Sequence, residues 1–400
     1  MTSTVRKSLP LVLAALSATG PLGIDMYLPS IPDMAMALET SEGAVQYSLM
    51  TFFVGLMLGQ LVYGPLSDRF GRKPLIFLGL GIFVLGSIGC ALSTTVLQLQ
   101  WLRFLQGLGG SIGLVIAFAI VKDAFTVEGM GKMVSMILAV LGLSPVIAPL
   151  LGNLLQDLGS WRAIFWALTG YGVFVAVLVA FLLPETRSET ERKKVVLSRT
   201  VHTYGALLVD KTFTPFAVAL CIAQAGFFAY LAGSASVFIS EYDLTPLHFS
   251  LLFGLNALGL IAAAILNPVL HRRVGPLTAY RLLSTTYFIV LALLLIYLAS
   301  GHSNLTVLCV GLFITVSLLG FIMPTGSQLA LMQQHQYAGT ASALMGSMQF
   351  GAGAIITGIS GALAHLGGLG LVTIMLVCAA LSTLLCLTVF PRKLELSTLD

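Results

Sequence analysis

Apolar residues come in this chain in runs of about twenty, each long enough as a helix to cross a hydrocarbon core of about 30 Å. No other feature restricts the fold so severely. The runs fall near 9–29, 44–66, 75–93, 98–121, 133–153 and 161–183, then near 213–239, 249–270, 277–299, 305–331, 339–364 and 369–390. Only 9% of residues are charged against 57% hydrophobic, too few polar groups to clothe a water-facing surface. The short alternating segments of a membrane β-barrel are absent. The pattern predicts an all-α polytopic membrane protein, with twelve transmembrane helices in two pseudo-symmetric six-helix bundles over 1–183 and 213–400. A polar linker at 184–212, carrying Glu185, Arg187, Glu189, Glu191, Arg192, Lys193, Lys194 and Arg199, joins them as a solvated loop.

Positive loops stay cytoplasmic. With the N-terminus inside, 17 of the 20 Lys and Arg residues fall on inner segments: Arg6 and Lys7, the 69–73 turn, Lys122 and Lys132, the linker, Arg272 and Arg273, and Arg392 and Lys393. Arg103 and Arg281 lie within spans, and Arg162 borders an outer loop. Both termini are therefore expected inside, and the first apolar run is expected to stay as a helix, since no small-residue cleavage site ends it. The halves are faintly alike. Arg69-Phe-Gly-Arg-Lys-Pro74 follows the second span as Arg273-Val-Gly-Pro276 follows the eighth, and the same offset carries Gly55 onto Gly259. Repeats of this kind place a binding site between the halves at mid-membrane.

The five cysteines lie in apolar runs without paired metal-ligand spacing, and read as small hydrophobes. The six histidines do not cluster, no Ser-His-Asp arrangement can be argued, and Gly107-Leu-Gly-Gly110 sits inside a span rather than in a nucleotide loop. An enzyme is not expected, nor a metal, nor any cofactor.

Several polar residues stand where lipid-facing helices rarely tolerate them. Asp25, in Gly23-Ile-Asp-Met-Tyr-Leu-Pro29, lies toward the outer part of the first span. A carboxylate there costs about 2.5–3.5 kcal/mol on insertion scales, a cost relieved by taking up a proton or facing a wet cavity. Two readings are open: a proton carrier on a bent, cavity-lining helix, or a cap at the outer end of that helix. Arg103 heads a polar, small-residue face with Gln106, Gly110 and Gly113. An arginine keeps its charge, so it either snorkels outward or points into the bundle to sense Asp25 electrostatically.

Gly142, Pro145, Pro149 and Gly152 make a helix-bending stripe on the fifth span. Gly339, Ser342, Gly346, Gln349 and Gly353 echo it on the eleventh, as expected of interfaces that move. The tightest knot of charge is Gly64-Pro-Leu-Ser-Asp-Arg-Phe-Gly-Arg-Lys-Pro-Leu-Ile76. Asp68 ends a helix at the pole that disfavours an anion, and so calls for Arg72 or the start of the eleventh span. Asp123 could join that latch; a static turn cap is the alternative.

Taken together these segments resemble the major facilitator superfamily, and within it the twelve-helix drug:proton antiporters. Residues 64–76, with Gly64, Asp68, Arg69, Gly71, Arg72 and Lys73, are similar to the superfamily's loop signature between the second and third helices. Residues 99–111 resemble the antiporters' helix 4 motif, and 142–152 a variant of their helix 5 motif. With Asp25-Met-Tyr-Leu-Pro29 that variant resembles the Bcr/CflA subfamily of bicyclomycin and chloramphenicol resistance. The resemblance implies a bacterial inner-membrane exporter that rocks two bundles about a central site. Asp25 would carry the proton and Arg103 tune it. Some relatives have a second acid two turns earlier, where Ser17 stands here, so exchange of one proton is the simpler expectation.

The predicted partners are protons, lipid and a small amphipathic substrate; nucleic acid is not among them, and a monomer is expected. Candidate substrate contacts are Tyr27, Tyr47, Gln60, Gln224, Phe227, Phe228, Tyr230, Asn256 and Gln349. A dedicated exporter of a nucleoside or amino acid would use the same scaffold. A non-transporting sensor would call for an added soluble domain.

Overall fold

A computed structural model describes residues 3–187, 197–334 and 336–391. Arg192, Lys193, Lys194, Glu189, Glu191, Arg392 and Lys393 lie outside the described residues. Twelve described helices are long and apolar enough to cross a membrane. They are α1 (Ser3–Asp25), α2 (Glu42–Phe70), α3 (Arg72–Leu92), α4 (Val96–Ala124), α5 (Val127–Leu158) and α6 (Trp161–Leu182), then α7 (Thr214–Ala235), α8 (Pro246–Val274), α9 (Pro276–Ala299), α10 (Leu305–Leu331), α11 (Ala338–Ala362) and α12 (Gly367–Thr388).

Polar residues set the helix starts. Ser41, Thr95, Ser160, Thr245 and Asn304 each precede a helix, and each side chain accepts a hydrogen bond from a first-turn N–H. All five caps precede even-numbered spans. The faint internal repeat has a backbone cause. Gly71 and Gly275 are single-residue turns between consecutive helices, at φ +102° and +76°, where a side chain would be strained.

Helix pairings in the first six spans recur six spans later. Helix α4 packs on α1, α2 and α3, as α10 packs on α7, α8 and α9; α3 meets α6 as α9 meets α12. Glycines let α4 approach so closely: a Cβ on Gly107 would overlap the Phe52 carbonyl, one on Gly109 the α3 backbone, and one on Gly113 the Leu16 carbonyl. In an apolar solvent such close contact, rather than hydrophobic exclusion, holds helices together.

Two symmetric pairs join the halves, α2 with α11 and α5 with α8. The three hydrogen bonds that cross directly between the halves among the described residues all lie at one end. Gln46 Nε2 donates to Ser236 Oγ (3.0 Å), Ser240 Oγ to Glu42 Oε1 (2.6 Å), and Ser250 Oγ to the Pro149 carbonyl (3.2 Å). At the other end an added Cβ on Gly339 meets nothing, and one on Gly64 meets only Val115 of its own half. Among the described residues direct hydrogen bonds thus join the halves at the 41–46 end, here the shut end, and none does at the 64–73 end, here the parted end.

The described end of the linker is more structured than a solvated loop. Leu197–Leu208 forms a helix against α2 and α11, with Leu207 buried and the Tyr204 hydroxyl donating to the Leu61 carbonyl (3.2 Å). Its apolar residues recur at helical spacing, a signal masked in the sequence by the charged stretch before it.

Candidate functional site

Helix α1 ends at Asp25 itself; a turn, a short 3-10 segment (Leu28–Ser30) and a short helix (Ile31–Ala37) follow. The end is nonetheless buried, and Asp25 is only 4% exposed. Helix α5 covers it, because Gly152 lies directly on the Met26 carbonyl with no room for a Cβ. Gln156, one turn on, bonds to Asp33 and to Ser30. Among the described residues no ion pair is formed by the Asp25 carboxyl group.

Arg103 is fully buried, pointing into the bundle rather than outward, and among the described residues it forms no ion pair with Asp25. Its Nη1 donates to the Gly23 carbonyl (2.9 Å) and to Gln106 Oε1 (2.5 Å), and Gln106 Nε2 donates on to Ser87 Oγ (2.7 Å). The guanidinium lies 4.1 Å from the ring centre of Phe52 and 4.4 Å from that of Tyr27. Aromatic faces stabilise a desolvated cation by about 2 kcal/mol, which explains how the charge is held without a carboxylate. Tyr27, a candidate substrate contact, is placed wholly buried beneath the guanidinium in the first half.

At the parted end Arg72 gathers the charged turn. Its guanidinium is 4% exposed, and bonds Asp68 (2.8 Å), Asp123 (Nε to Oδ2, 2.9 Å) and Ser67 Oγ (2.6 Å). Arg187 joins at 3.3 Å from Asp68, and Glu185 accepts from the backbone N–H groups of Arg72 and Lys73 (3.0 and 3.1 Å). An anion at the α3 N-terminus suits the helix dipole. Arg69 is exposed, and Lys73 Nζ donates to the Ala180 carbonyl (2.9 Å). Of the two candidate partners for Asp68, Arg72 is the one it meets; among the described residues it forms no ion pair with the start of α11. Glu185 and Arg187, read in the sequence as part of a solvated run, belong to the cluster instead.

Aromatic rings meet across the halves about midway along their helices. Phe53 of α2 lies 4.6 Å (ring centres) from Phe228 of α7, and Phe350 of α11 closes the group at about 6 Å from both. Phe227 continues it toward Tyr230, which stacks on Phe253 and accepts a hydrogen bond from Asn256 Nδ2 (2.7 Å). The carbonyl oxygens of Gln224 and Asn256 have no partner. Thus Phe227, Phe228, Tyr230, Asn256 and Gln224 come together, with Phe53, Phe253 and Phe350 unforeseen. Tyr47 packs instead at the shut end against Gly361, Gln60 stands at the seam beside Gly346, and Gln349 is half-buried on α11.

The bending stripe of α5 serves two neighbours. Gly152 meets α1, while Gly142 faces Ile261 and the Pro149 carbonyl faces Ser250, both on α8. The α11 stripe is corrected: Gly346 faces α2, but Gly353 meets Phe228 of α7, and Gly351, Gly358 and Gly361 carry the rest of the α2 contact.

Residues 13–358 match the Major Facilitator Superfamily. The chain belongs to that superfamily. It is 35% identical to an uncharacterized MFS-type transporter, YdgK of Bacillus subtilis, over 90% of each chain. It is 32% identical to the bicyclomycin resistance protein homolog of Haemophilus influenzae, over 86% of this chain and 87% of the relative. These relatives agree with the motifs in placing it among the Bcr/CflA-like members of the superfamily. The fold matches that of the nucleoside transporter NupG with a TM-score of 0.75 over 96% of this chain and 98% of that one, at 12% identity. A superfamily member of this kind is a transporter rather than an enzyme. The paired bundles, the seam between them and the charged 64–73 turn are the parts of a carrier, and Phe53 and Phe350 could have been suspected from their place in spans that face the seam.

Proposed function

We propose that this superfamily member is a proton-coupled antiporter that exports small amphipathic compounds from the cytoplasm by alternating access, with protons as the coupling ion. The observation that carries the reading is Asp25: a carboxyl group 4% exposed, without an ion-pair partner among the described residues, at a helix end beside the closed seam. Such a group can shed its charge only by taking a proton. Each proton moving inward yields about 2.3 kcal/mol per 100 mV of membrane potential, enough to drive concentrative export. Arg103, bonded to the carbonyl two residues before Asp25, would feel that exchange through the shared turn of α1 rather than by direct pairing.

The positive loops favour the 64–73 end as cytoplasmic, with both termini inside a bacterial inner membrane. In that orientation the bundle is shut outward and parted inward, ready to load from the cytoplasm. The aromatic group around Phe228 offers flat apolar faces, and the Gln224 and Asn256 carbonyls offer acceptors, to an amphipathic ligand. A relative named for bicyclomycin resistance supports an antibiotic among the substrates. The Arg72 cluster would steady the cytoplasmic end between strokes.

Asp25→Asn should abolish uphill export in energised vesicles while leaving substrate binding to purified protein measurable. Undiminished uphill export would refute the coupling role. Proton release on mixing the purified protein with antibiotics, nucleosides or amino acids would name the substrate class.

A further inference from the structure

The seam between α2 and α11 changes character along its length. Toward the parted end, glycines of α11 face the tips of flexible side chains on α2. An added Cβ would lie 3.2 Å from Gln60 Oε1 at Gly346, 3.0 Å from Met57 Sδ at Gly351, and 2.9 Å from Met50 Sδ at Gly358. Each of those tips can swing aside. At the shut end the contact is backbone on backbone. A Cβ on Gly43 would overlap the Gly361 carbonyl, and one on Gly361 would stand 2.8 Å from the Gly43 carbonyl.

Beside that contact stand the cross-half bonds Gln46–Ser236 and Ser240–Glu42. Ser236 and Ser240 lie in Ser236–Glu241, a stretch of wider helical winding that continues α7, and Glu241 is itself anchored by the Gly368 N–H (2.6 Å). Gln46 and Ser360 line a cavity of about 20 Å³ here, and Gln46 Oε1 and Ser360 Oγ have no protein partner. That is room for about one water molecule joining the two halves.

We propose that Gly43 and Gly361 are positioning residues of the transport cycle: their main-chain contact is the stop that lets the outer end close fully. This inference rests on the alternating-access reading above. Backbone cannot rotate out of the way as a methionine tip can, so one methyl group at this point must hold α2 and α11 apart. The parting would break the Gln46 and Glu42 hydrogen bonds that depend on the same spacing. A methyl at Gly358, one turn away, should be absorbed by Met50.

The test uses the full-length protein in cells, with Ser360→Cys as reporter and a membrane-impermeant maleimide outside. Labelling of the five native cysteines, measured without the reporter, is subtracted. Gly43→Ala should raise reporter labelling about ten-fold or more, the scale expected from overpacking a rigid contact. Gly358→Ala should change it by less than about two-fold, at equal protein level. Should Gly43→Ala not reach the membrane, Gly361→Ala places the methyl on the opposite side of the same contact and is held to the same outcome.

Equal effects of the alanines at 43 and 358, or none at 43, would overturn the proposal while substrate-dependent labelling left alternating access standing. A reporter that answers to no variant and no substrate would overturn both. The labelling is blind to proton coupling, so loss of the Asp25 mechanism would leave this result unaltered.

Discussion

Arg72 is held by two carboxylates that should differ sharply in weight, and exchanging them one at a time separates stability from turnover. The Asp123 side chain is 15% exposed and meets the buried guanidinium through two nitrogens, at 2.9 and 3.4 Å. The Asp68 side chain is 39% exposed and meets it once at 2.8 Å. Breaking a buried ion pair costs about 3–5 kcal/mol, because the remaining charge is stranded. Here Asp68 and Ser67 stay with Arg72, so we expect roughly 2–3 kcal/mol for Asp123→Asn. An ion pair as exposed as that of Asp68 is worth about 0–1 kcal/mol.

For a cooperative unit of roughly 200 residues, the Asp123 change corresponds to a fall in Tm of about 4–12 °C. The Asp68 change should shift Tm by no more than about 4 °C. Heating the detergent-solubilised variants and measuring the monodisperse fraction by fluorescence-detected size exclusion reads this out. In vesicles, Asp68→Asn should slow transport at equal protein level although it barely alters Tm. A larger Tm loss for Asp68→Asn than for Asp123→Asn would refute the ranking by burial, and an unchanged rate would remove Asp68 from the latch.

Gly152→Ala should destabilise the first half by about 1–3 kcal/mol, since its methyl would overlap the Met26 backbone beside Asp25; Gly64→Ala, with only Val115 near at 3.9 Å, should leave Tm unchanged. The Asp210 carboxylate is held below its ordinary range. Burial pushes it up, but hydrogen bonds from the Thr212 hydroxyl and N–H and the Gln334 amide outweigh that. Its folded value being depressed, the stabilisation is complete above the unfolded value of about 3.9 and disappears as pH falls through the folded one. Asp210→Asn should therefore flatten the acid side of the Tm–pH curve, and an identical curve would exclude the effect.

How much was legible in the sequence follows from which signals are local. The apolar period placed the spans, differing mostly at the ends, where α1 stops at Asp25 and a short helix continues to Ala37. The Gly71 and Gly275 turns were readable as a worn repeat because a positive φ demands glycine wherever two helices join so abruptly. The Arg72–Asp68 pair was readable because four residues separate the two charges across the Gly71 turn. Glu185 and Arg187 were not, because a charge in a linker looks the same whether it docks or faces water. The packing of Tyr27 against Arg103 was hidden for a like reason: an aromatic residue in a span gives no sign of which neighbour it covers.

By itself, then, the sequence determined the solvent, the number of crossings and the residues too polar for lipid, because the cost of exposing a charge or a peptide group to hydrocarbon acts on each residue where it stands. Only the tertiary structure decided which of the 41 glycines bear backbone contacts and which face pliable side chains. It alone set Arg103 on the Gly23 carbonyl instead of on Asp25, and shut one end of the seam. Those outcomes depend on distances of a few tenths of an ångström between helices far apart in the chain, and close packing resolves them only once every neighbour is in place.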